Sequence, residues 1–335
     1  MNSFGRIFRA TIWGESHGFG VGVIIDGCPA GIELSVEDFL QDLDRRRAGA
    51  KGTTPRKETD IPKIQSGIFN GKTTGAPILI TFENQDVDSS AYESIKNTPR
   101  PGHADMTALH KFGGFHDYRG SGHFSGRLTA AVVAAGVIAK KAIFPLSPVA
   151  TITHIKDTKI NSTADKDKII DEALARGDSV GGIVECTVKN MPTGLGEPFF
   201  DSLESMIAHA VFAIPATKGI EFGSGFASAT LWGSECNDEI AEIKGTTYTN
   251  NSGGINGGIS NGNSLVFRVA VKPTSSIKVT KQTVDLNTGL QTTISVPGRH
   301  DACIALRVPP VLEAMTALVL ADSLLIEQGI KRVKV

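Results

Sequence analysis

Hydrophobic positions in this chain recur with two periods, one typical of helices and one typical of strands. Residues 126–144 would be apolar on nearly every face of a helix, which predicts a helix at the centre of the fold. A second long helix is predicted over residues 310–328, because proline stands in its first turn and Gly329 follows its end. A charged helix is predicted over residues 164–176, and an amphipathic one from Asp201 onward.

A shorter amphipathic helix is predicted to begin at Ser35. Serine is a favourable N-cap, and an acidic residue follows three positions later. The apolar stripe of this helix consists of Val36, Phe39, Leu40 and Leu43. The helix ends in three arginines, residues 45–47, which carry more positive charge than a helix dipole needs. We therefore interpret this run as part of an anion-binding site.

Strands are predicted where short apolar or alternating runs are bounded by turn residues. They cover residues 21–26, 76–82, 149–155, 182–189 and 265–271, with a hairpin over residues 277–296. Helices and strands mix without strict alternation, which favours an α+β fold. Because no repeat or linker divides the sequence, we predict one domain over residues 1–335.

Composition narrows the classes of function. The 335 residues carry a formal net charge of −1, which speaks against a nucleic-acid partner or an anionic membrane. Four cysteines lie far apart without a C-x-x-C pair, as expected for reduced thiols in the cytoplasm. The longest apolar run, residues 128–139, is shorter than the roughly twenty residues that cross a membrane. We predict a soluble, cytoplasmic protein without a signal peptide.

Glycine and positive charge occur together in the loops. The 37 glycines concentrate at residues 14–22, 113–126, 219–225 and 253–262, where the backbone could approach a ligand closely. Cations lie in or beside Gly, Ser and Pro loops: Arg45, Arg46, Arg47, Lys51, Arg56, Arg100, Arg119, Arg127, Lys272 and Arg299. Aromatic stacking platforms are few, so a small substrate with several negative groups fits better than a polymer.

Three loops place a histidine beside groups that could tune it: GESHG at residues 14–18, RPGHAD at residues 100–105 and RHD at residues 299–301. His17 lies in a glycine-flanked turn, as expected for an exposed acid or base. Ser16 and His17 are neighbours in sequence, and adjacent side chains rarely face each other, so we discount a hydrolase triad. No H-x-x-x-H or H-x-H spacing occurs, and we predict no metal.

Residue chemistry alone leaves two other classes open. The same basic loops would suit a non-catalytic protein that binds anions or RNA, although the balanced charge argues against it. A metal-dependent phosphate-ester hydrolase is the second alternative. Neither a phosphate-binding G-x-x-x-x-G-K-[ST] loop nor a G-x-G-x-x-G motif between a strand and a helix is present.

An ordered set of motifs spans nearly the whole chain. It comprises GESHG (14–18), DLDRRR (42–47), RPGHAD (100–105), DYRGSG (117–122), VAAGVIAKK (133–141), KGIEFG (218–223), GGINGGISNG (253–262), KPTSSI (272–277), GRHD (298–301) and LRVPPVLEAM (306–315). In this order and at these spacings the chain resembles chorismate synthases.

The resemblance implies a reaction, a cofactor and an architecture. Chorismate synthases convert 5-enolpyruvylshikimate 3-phosphate to chorismate and phosphate by an anti 1,4-elimination that needs reduced FMN without net redox change. A substrate with two carboxylates and a phosphate needs fixed cations, as these loops offer. The implied fold has antiparallel sheets packed outside a helical core, assembled as a homotetramer. Reduced flavin is expected from a separate flavin reductase or the cellular supply.

The same resemblance implies roles for individual residues. His17 would protonate the leaving phosphate, His103 would sit by the reduced flavin, and Asp301 with Ser16 would form a proton relay near the flavin N5. The implied substrate-binding residues are Arg47, Arg56, Arg100, Arg127 and Arg299. The implied FMN-binding residues are Ser125, Ala216, Gly257, Lys272, Ser276 and Arg299.

The sequence departs from the common family wording at a few positions. Where many members read GGGRSSARET, residues 120–129 read GSGHFSGRLT. His123 therefore takes the place of an arginine, Phe124 that of a serine and Leu128 that of a glutamate, and Pro215 stands where asparagine is frequent. We hypothesise that His123 is a third active-site histidine.

Overall fold

The computed structural model describes residues 1–54, 58–93, 95–296 and 300–329, which contain the following elements. The helices are α1 (Glu37–Arg46), α2 (Ser90–Glu93), α3 (Asp105–Phe112), α4 (Thr129–Ala142), α5 (Thr163–Arg176), α6 (Leu203–Val211), α7 (Gly233–Cys236) and α8 (Val308–Gly329). Short 3₁₀ turns cover Arg119–Phe124, Gly126–Leu128, Phe199–Asp201, Gly225–Thr230 and Ile304–Arg307.

Two five-stranded antiparallel sheets account for most of the strands. The first has the order β1 (Ser3–Phe4), β2 (Arg9–Gly14), β3 (Gly20–Asp26), β7 (Ile78–Glu83) and β4 (Lys63–Ile64). The second has the order β11 (Thr217–Phe222), β14 (Leu265–Val271), β10 (Gly182–Val188), β8 (Pro148–Ile155) and β9 (Thr158–Lys159). Three small hairpins pair β5 (Ile68–Phe69) with β6 (Lys72–Thr73), β12 (Ile255–Asn256) with β13 (Ile259–Ser260), and β15 (Lys281–Val284) with β16 (Gln291–Ile294).

The two apolar helices α4 and α8 lie between these sheets. Every α4 residue from Ala130 to Ala139 is buried, and α4 packs on β3 and β7 while α8 packs on β8 and β10. The two helices approach closely at Gly136, where an added Cβ would come within 2.2 Å of Ala314 Cβ. The sheets thus lie outside a helical core, which confirms the predicted α+β layered fold.

Strand alternation explains how each sheet covers the helices. On β3 the side chains of Val21, Val23 and Ile25 are buried, whereas Ile24 is 41% exposed. The adjacent β7 follows the same alternation, with Ile80 directly opposite Val23. One face of the sheet therefore packs on the helical core, as a half-buried antiparallel sheet requires.

Most of the predicted elements are confirmed, and the beginning of α1 is corrected. Ser35 does not cap this helix with its side chain; instead, Asp38 accepts a hydrogen bond from the Ser35 backbone N–H at 2.8 Å. Phe39 and Leu43 are buried as predicted, but Leu40 is exposed because it lies at the edge of the stripe. Strands β2 and β11 and helix α3 are present without having been predicted.

One helical stretch, Ile304–Gly329, is long and apolar enough to cross a membrane by length and composition. However, 78% of its most apolar window is buried inside the protein. This is the burial expected of a core helix, and α8 packs on α4 and the second sheet.

Candidate active site

A cavity of about 720 Å³ opens beside the helical core and is walled by loops from distant parts of the chain. The segment after α1, the turn before α3, the 3₁₀ turn Arg119–Phe124 and the N-terminus of α4 form one part of the wall. Residues 212–218, 272–276 and 300–307 form another. A volume of this size suits small molecules, since ligand pockets commonly measure roughly 300–1,000 Å³.

The wall of this cavity is strongly positive. Among the described lining residues the cations are Arg46, Arg47, Arg100, Arg127, Lys218, Lys272 and Arg307, and the carboxylates are Glu58, Asp60 and Asp301. Cations outnumber carboxylates by more than two to one, so the cavity attracts anions although the whole chain is nearly neutral.

The RPGHAD segment fixes one of these cations. Asp105, the first residue of α3, accepts hydrogen bonds from Arg100 Nε and Nη2, both at 2.7 Å, and from the Arg100 backbone N–H at 3.0 Å. Arg100 Nη1 donates to Ser276 Oγ at 3.0 Å. Burial alone would raise the pKa of Asp105, but the hydrogen bonds from Arg100 and His103 outweigh it and hold the pKa far below its usual value. Asp105 is therefore ionised, and the guanidinium is held rigidly.

A second pair of arginines shares one buried carboxylate. Asp60 accepts a hydrogen bond from Arg46 Nη2 at 2.5 Å and another from Arg127 Nη1. Its burial would raise its pKa, yet the two guanidinium charges keep the pKa below the usual value. Burial lowers the pKa of Arg46 to about 10 against the opposing charge of Asp60, so Arg46 stays charged at neutral pH. Arg127 is further held by Asn84 Oδ1 at 3.0 Å.

Asp301 reaches the cavity from the segment before α8. Its carboxylate accepts from the Thr54 backbone N–H at 2.9 Å and lies 3.5 Å from Arg307 Nη1. Arg307 Nε in turn donates to the backbone carbonyl of Arg46 at 3.0 Å. The end of α1 and the start of α8 are thereby tied together at the cavity wall.

The GESHG turn places Ser16 and His17 differently. Ser16 is fully buried and lines the cavity. His17 is buried too, so the prediction of an exposed side chain is wrong, and it is not one of the lining residues. The His17 ring lies against Gly120, where an added Cβ would come within 2.2 Å of its Cδ2. His17 Nδ1 is 2.8 Å from Ser89 Oγ, and the ring packs edge-on against Tyr92. Gly120 itself lines the cavity, so His17 lies one residue behind its wall.

Comparison with known proteins decides the family. The model of the chorismate synthase family matches residues 8–325. A chorismate synthase of Chitinophaga pinensis is 60% identical over 334 residues, covering 99% of both chains, and one of Dehalococcoides mccartyi is 48% identical over 96% of both. The chain belongs to the chorismate synthase family. A crystal structure of a chorismate synthase matches with a TM-score of 0.76 at 29% identity, covering 97% of this chain and 94% of the other.

Family membership confirms the predicted class of enzyme, a carbon–oxygen lyase acting on phosphates. The cavity brings together most of the site residues that the resemblance to chorismate synthases implies. Its described walls include Ser16, His103, Asp301, Arg47, Arg100, Arg127, Ser125, Ala216, Lys272 and Ser276. Their roles stay predictions.

Besides His17, one described residue of the implied chorismate synthase site lies away from the cavity. Gly257 is exposed at the turn between β12 and β13 and does not line the cavity. Arg56 and Arg299 lie outside the described residues.

His123, for which the sequence suggests a place in the active site, does line the cavity. Its Nδ1 is 2.8 Å from the Gly14 carbonyl oxygen and its Nε2 is 3.1 Å from Asn2 Oδ1. These contacts tie the N-terminal residues to β2 beside the cavity, and a role for His123 in catalysis stays a hypothesis.

The residue roles implied by the resemblance left out four further residues of the wall, Arg46, Asp60, Ser121 and Arg307, although the quoted motifs span all of them except Asp60. Arg46 had a signal in the sequence, since it stands seven positions after Phe39 and three after Leu43 and so continues the buried stripe of α1. Arg46 points into the protein and its neighbour Arg45 does not. Asp60 and Arg307 had no comparable signal, because only the fold brings them to Arg46.

Several polar atoms at the cavity are buried without a hydrogen-bond partner in the described part of the chain. They are Arg46 Nε, Arg47 Nε, Thr217 Oγ1 and Thr274 Oγ1. Buried polar atoms normally find partners, so these four are suited to contact a bound polar molecule. No group of three or more His, Cys, Asp or Glu side chains among the described residues could hold a metal ion.

Proposed function

We propose that this protein catalyses the anti 1,4-elimination of phosphate from 5-enolpyruvylshikimate 3-phosphate, giving chorismate and phosphate. The observation that carries the proposal is the positive cavity with two buried, rigidly held arginines, Arg100 and Arg127, beside His103. Guanidinium charges that are fixed in place favour anionic groups, and this substrate offers two carboxylates and one phosphate.

The residues present suit reduced FMN as the cofactor. Thr217 and Thr274, whose hydroxyls have no partner in the described part of the chain, line a cavity large enough for a small molecule with polar substituents. Lys272 lines the same wall and contacts the Gly102 carbonyl oxygen at 2.5 Å. We infer that Ser125, Ala216, Lys272 and Ser276 hold the flavin, with Lys272 offering positive charge to its phosphate. When bound, reduced FMN supplies an electron-rich ring without net redox change.

Protein groups must accept or donate one proton and stabilise one leaving phosphate. The elimination breaks a C–H bond and a C–O bond, so a proton leaves the substrate while negative charge develops on the departing phosphate. Fixed cations such as Arg46 and Arg127 stabilise that charge without having to reorganise. We assign His103 to the flavin side of the cavity and Asp301 with Ser16 to proton relay. Protonation of the phosphate is assigned to His17 from the family resemblance alone, since its ring lies behind the cavity wall at Gly120.

We further propose that the chain acts as one domain, assembles as a homotetramer and works in the cytoplasm on flavin reduced elsewhere. A continuous hydrophobic core from Phe8 to Ala321 supports the single domain. Exposed large side chains such as Phe226, Trp232 and Ile243 support association with other copies. Neither a nucleic acid nor a membrane is part of this proposal.

The proposal is tested by anaerobic incubation with chemically reduced FMN and 5-enolpyruvylshikimate 3-phosphate. Chorismate absorbance and free phosphate should appear together in equal amounts. Phosphate without chorismate would favour the hydrolase, particularly if a chelator stopped the release. The absence of both products would overturn the proposal. In a parallel arm with NADPH and oxidised FMN we expect no product, because flavin reduction is assigned to another protein.

The flavin assignment has its own test in Lys272→Met. Loss of this charge should weaken anaerobic binding of reduced FMN about tenfold, as expected for one charged hydrogen bond. Lys51→Met is the matched control, because Lys51 is exposed, pairs with Asp171 and does not line the cavity. Equal flavin affinity in the wild type and Lys272→Met would remove Lys272 from the cofactor site.

A further inference from the structure

His103 is held between two side chains that come from different segments. Its Nδ1 lies 2.6 Å from Asp105 Oδ1, and its Nε2 lies 3.2 Å from Ser121 Oγ. His103 and Ser121 both line the cavity, whereas Asp105 is not among the residues lining it. The imidazole thus has a carboxylate on one side and a hydroxyl at the cavity on the other.

The surrounding contacts determine which ring nitrogen carries the proton. Asp105 is ionised and can only accept, so Nδ1 donates its N–H to this carboxylate. Arg100 Nη2 lies 3.1 Å from Nδ1, but its own hydrogen bond goes to the same Asp105 oxygen at 2.7 Å. In the neutral ring Nε2 therefore presents its lone pair to Ser121 Oγ.

The Ser121 hydroxyl is oriented by the same arginine. Arg100 Nη2 also donates to Ser121 Oγ at 3.2 Å, which leaves the hydroxyl proton to point at His103 Nε2. If the ring takes up a second proton, Nε2–H donates to Oγ instead, and the hydroxyl proton turns toward an acceptor in the cavity. The hydroxyl can therefore act in either direction.

The backbone at Ser121 is strained for a residue with a side chain. Its φ is +69°, and the flanking residues Gly120 and Gly122 have φ values of +57° and +51°. Glycine adopts this conformation freely, whereas other residues rarely do, and such strain concentrates at functional sites. A serine here is unfavourable for the turn itself, so its hydroxyl is the feature that calls for explanation.

We propose that Asp105 and Ser121 are positioning residues of His103, and that the Ser121 hydroxyl carries protons between Nε2 and a molecule in the cavity. In the delivering direction Nε2 gives its proton to Ser121 Oγ as the hydroxyl proton passes to the acceptor, so the serine is unchanged. Asp105 keeps its charge and stabilises the cationic ring. The catalytic use of the Asp105–His103–Ser121 hydrogen bonds rests on the proposed function, but the hydrogen-bond arrangement itself does not.

The test uses Ser121→Gly and Ser121→Ala, which remove the same hydroxyl but differ in their effect on the backbone. Glycine relieves the positive φ, whereas alanine keeps the strain that the wild-type serine has, so the glycine variant should melt at a higher temperature than the alanine variant. Both should lower kcat by about tenfold or more, as for loss of an acid–base group, with little change in substrate KM. A kcat that followed melting temperature instead would overturn the relay.

The protonation state of the two His103 ring nitrogens is measured in the substrate-free protein by ¹⁵N NMR, with resonances assigned by comparison with His103→Gln. The wild type should show Nδ1 protonated with a low-field proton, and both Ser121 variants should shift Nε2 while keeping Nδ1–H. Asp105→Asn should reduce the Nδ1-protonated form and lower kcat about 10- to 100-fold, as for other groups that orient a ligand histidine. Asp117→Asn, which removes a nearby carboxylate bound to Arg119, is the matched control and should leave the ring resonances unchanged.

These readouts separate the two proposals. A predominantly Nε2-protonated ring in the wild type, or resonances unaffected by Ser121→Gly, would overturn the arrangement whatever the enzyme does. If the resonances behave as expected but the wild type forms no chorismate, the proposed reaction is wrong and the positioning of His103 by Asp105 and Ser121 stands.

Discussion

Two groups of ion pairs, each built around a buried carboxylate, have similar composition and different surroundings. Both contain two cations and two carboxylates, and both involve an arginine near the end of α1. The helix cluster consists of Glu313, Asp42, Arg45 and Lys140. The cavity cluster consists of Asp60, Glu58, Arg46 and Arg127.

The difference lies in what each cluster faces. In the helix cluster Glu313 accepts from Arg45 and Lys140 and from the Ala150 backbone N–H at 3.0 Å, and none of its four members lines the cavity. All four members of the cavity cluster line the cavity, and Arg46 Nε there has no partner in the described part of the chain. Similar chemistry therefore holds helices together in one place and leaves donors for a ligand in the other.

The largest expected effect follows from breaking the helix cluster with Glu313→Ala. This change removes one acceptor from Lys140 and from Arg45, which both keep Asp42, and leaves the Ala150 N–H without its acceptor. The free energy of unfolding should therefore fall by about 3 kcal/mol. Urea titration followed by circular dichroism measures this loss. The kcat of the folded fraction should stay at the wild-type value, because no reacting group is touched.

Glu313→Gln serves as the matched variant for this experiment. It keeps the shape and one acceptor oxygen, so its loss of stability should be smaller than that of Glu313→Ala. A fall in kcat in either variant at full occupancy of the folded state would show that the helix cluster also acts on the site, and the comparison would fail.

The second effect is expected from Arg127→Lys in the cavity cluster. Lysine keeps the charge, but it lacks the planar guanidinium with which Arg127 bonds Asp60 and Asn84 and is proposed to contact substrate. Loss of one charged hydrogen bond to substrate should raise KM about 10- to 100-fold, with a smaller change in unfolding free energy than for Glu313→Ala. Steady-state kinetics and urea titration on the same preparation measure both quantities.

Arg119→Lys is the control for the loss of a fork. Arg119 is exposed, forms paired hydrogen bonds to Asp117 at 2.9 Å, and does not line the cavity. Its replacement should leave KM unchanged. Equal effects of the two substitutions would mean that the loss at Arg127 reflects a general disturbance and not contact with substrate.

The two neighbouring arginines Arg45 and Arg46 show how far the sequence alone could reach. Helical periodicity predicted α1, and its continuation assigns Arg46 to the buried stripe. The family motif instead directed attention to Arg47, which is half-buried and donates to the Thr59 carbonyl oxygen at 2.6 Å. Motif and periodicity carry different information, and the site needed both.

Strand prediction failed where apolar alternation was weak. On β2 only Ala10 is buried, since this strand is polar at Arg9 and Thr11 and turns Ile12 to the cavity. Contacts outside the local pattern were also beyond reach: Asp60 meets Arg46 from 14 residues further along the chain, and Arg307 from 261 residues further along. Such approaches are decided by the packing of whole elements and leave no local pattern.

The smallest effect is expected from lowering the pH, which should reduce the stability that Glu313 contributes through the helix cluster. Burial alone would raise the pKa of Glu313, but the hydrogen bonds and charges of Arg45 and Lys140 hold it below the ordinary value of 4.5. The unfolded chain then binds a proton at a pH where the folded chain does not, so stability rises with pH in that window. The contribution of Glu313 is fully present above about pH 4.5 and is lost as pH falls through the lower, folded value. Urea titrations from pH 6 to pH 3 should therefore show a shallower decline in Glu313→Gln than in the wild type, and parallel declines would mean that Glu313 is not held as an ionised carboxylate.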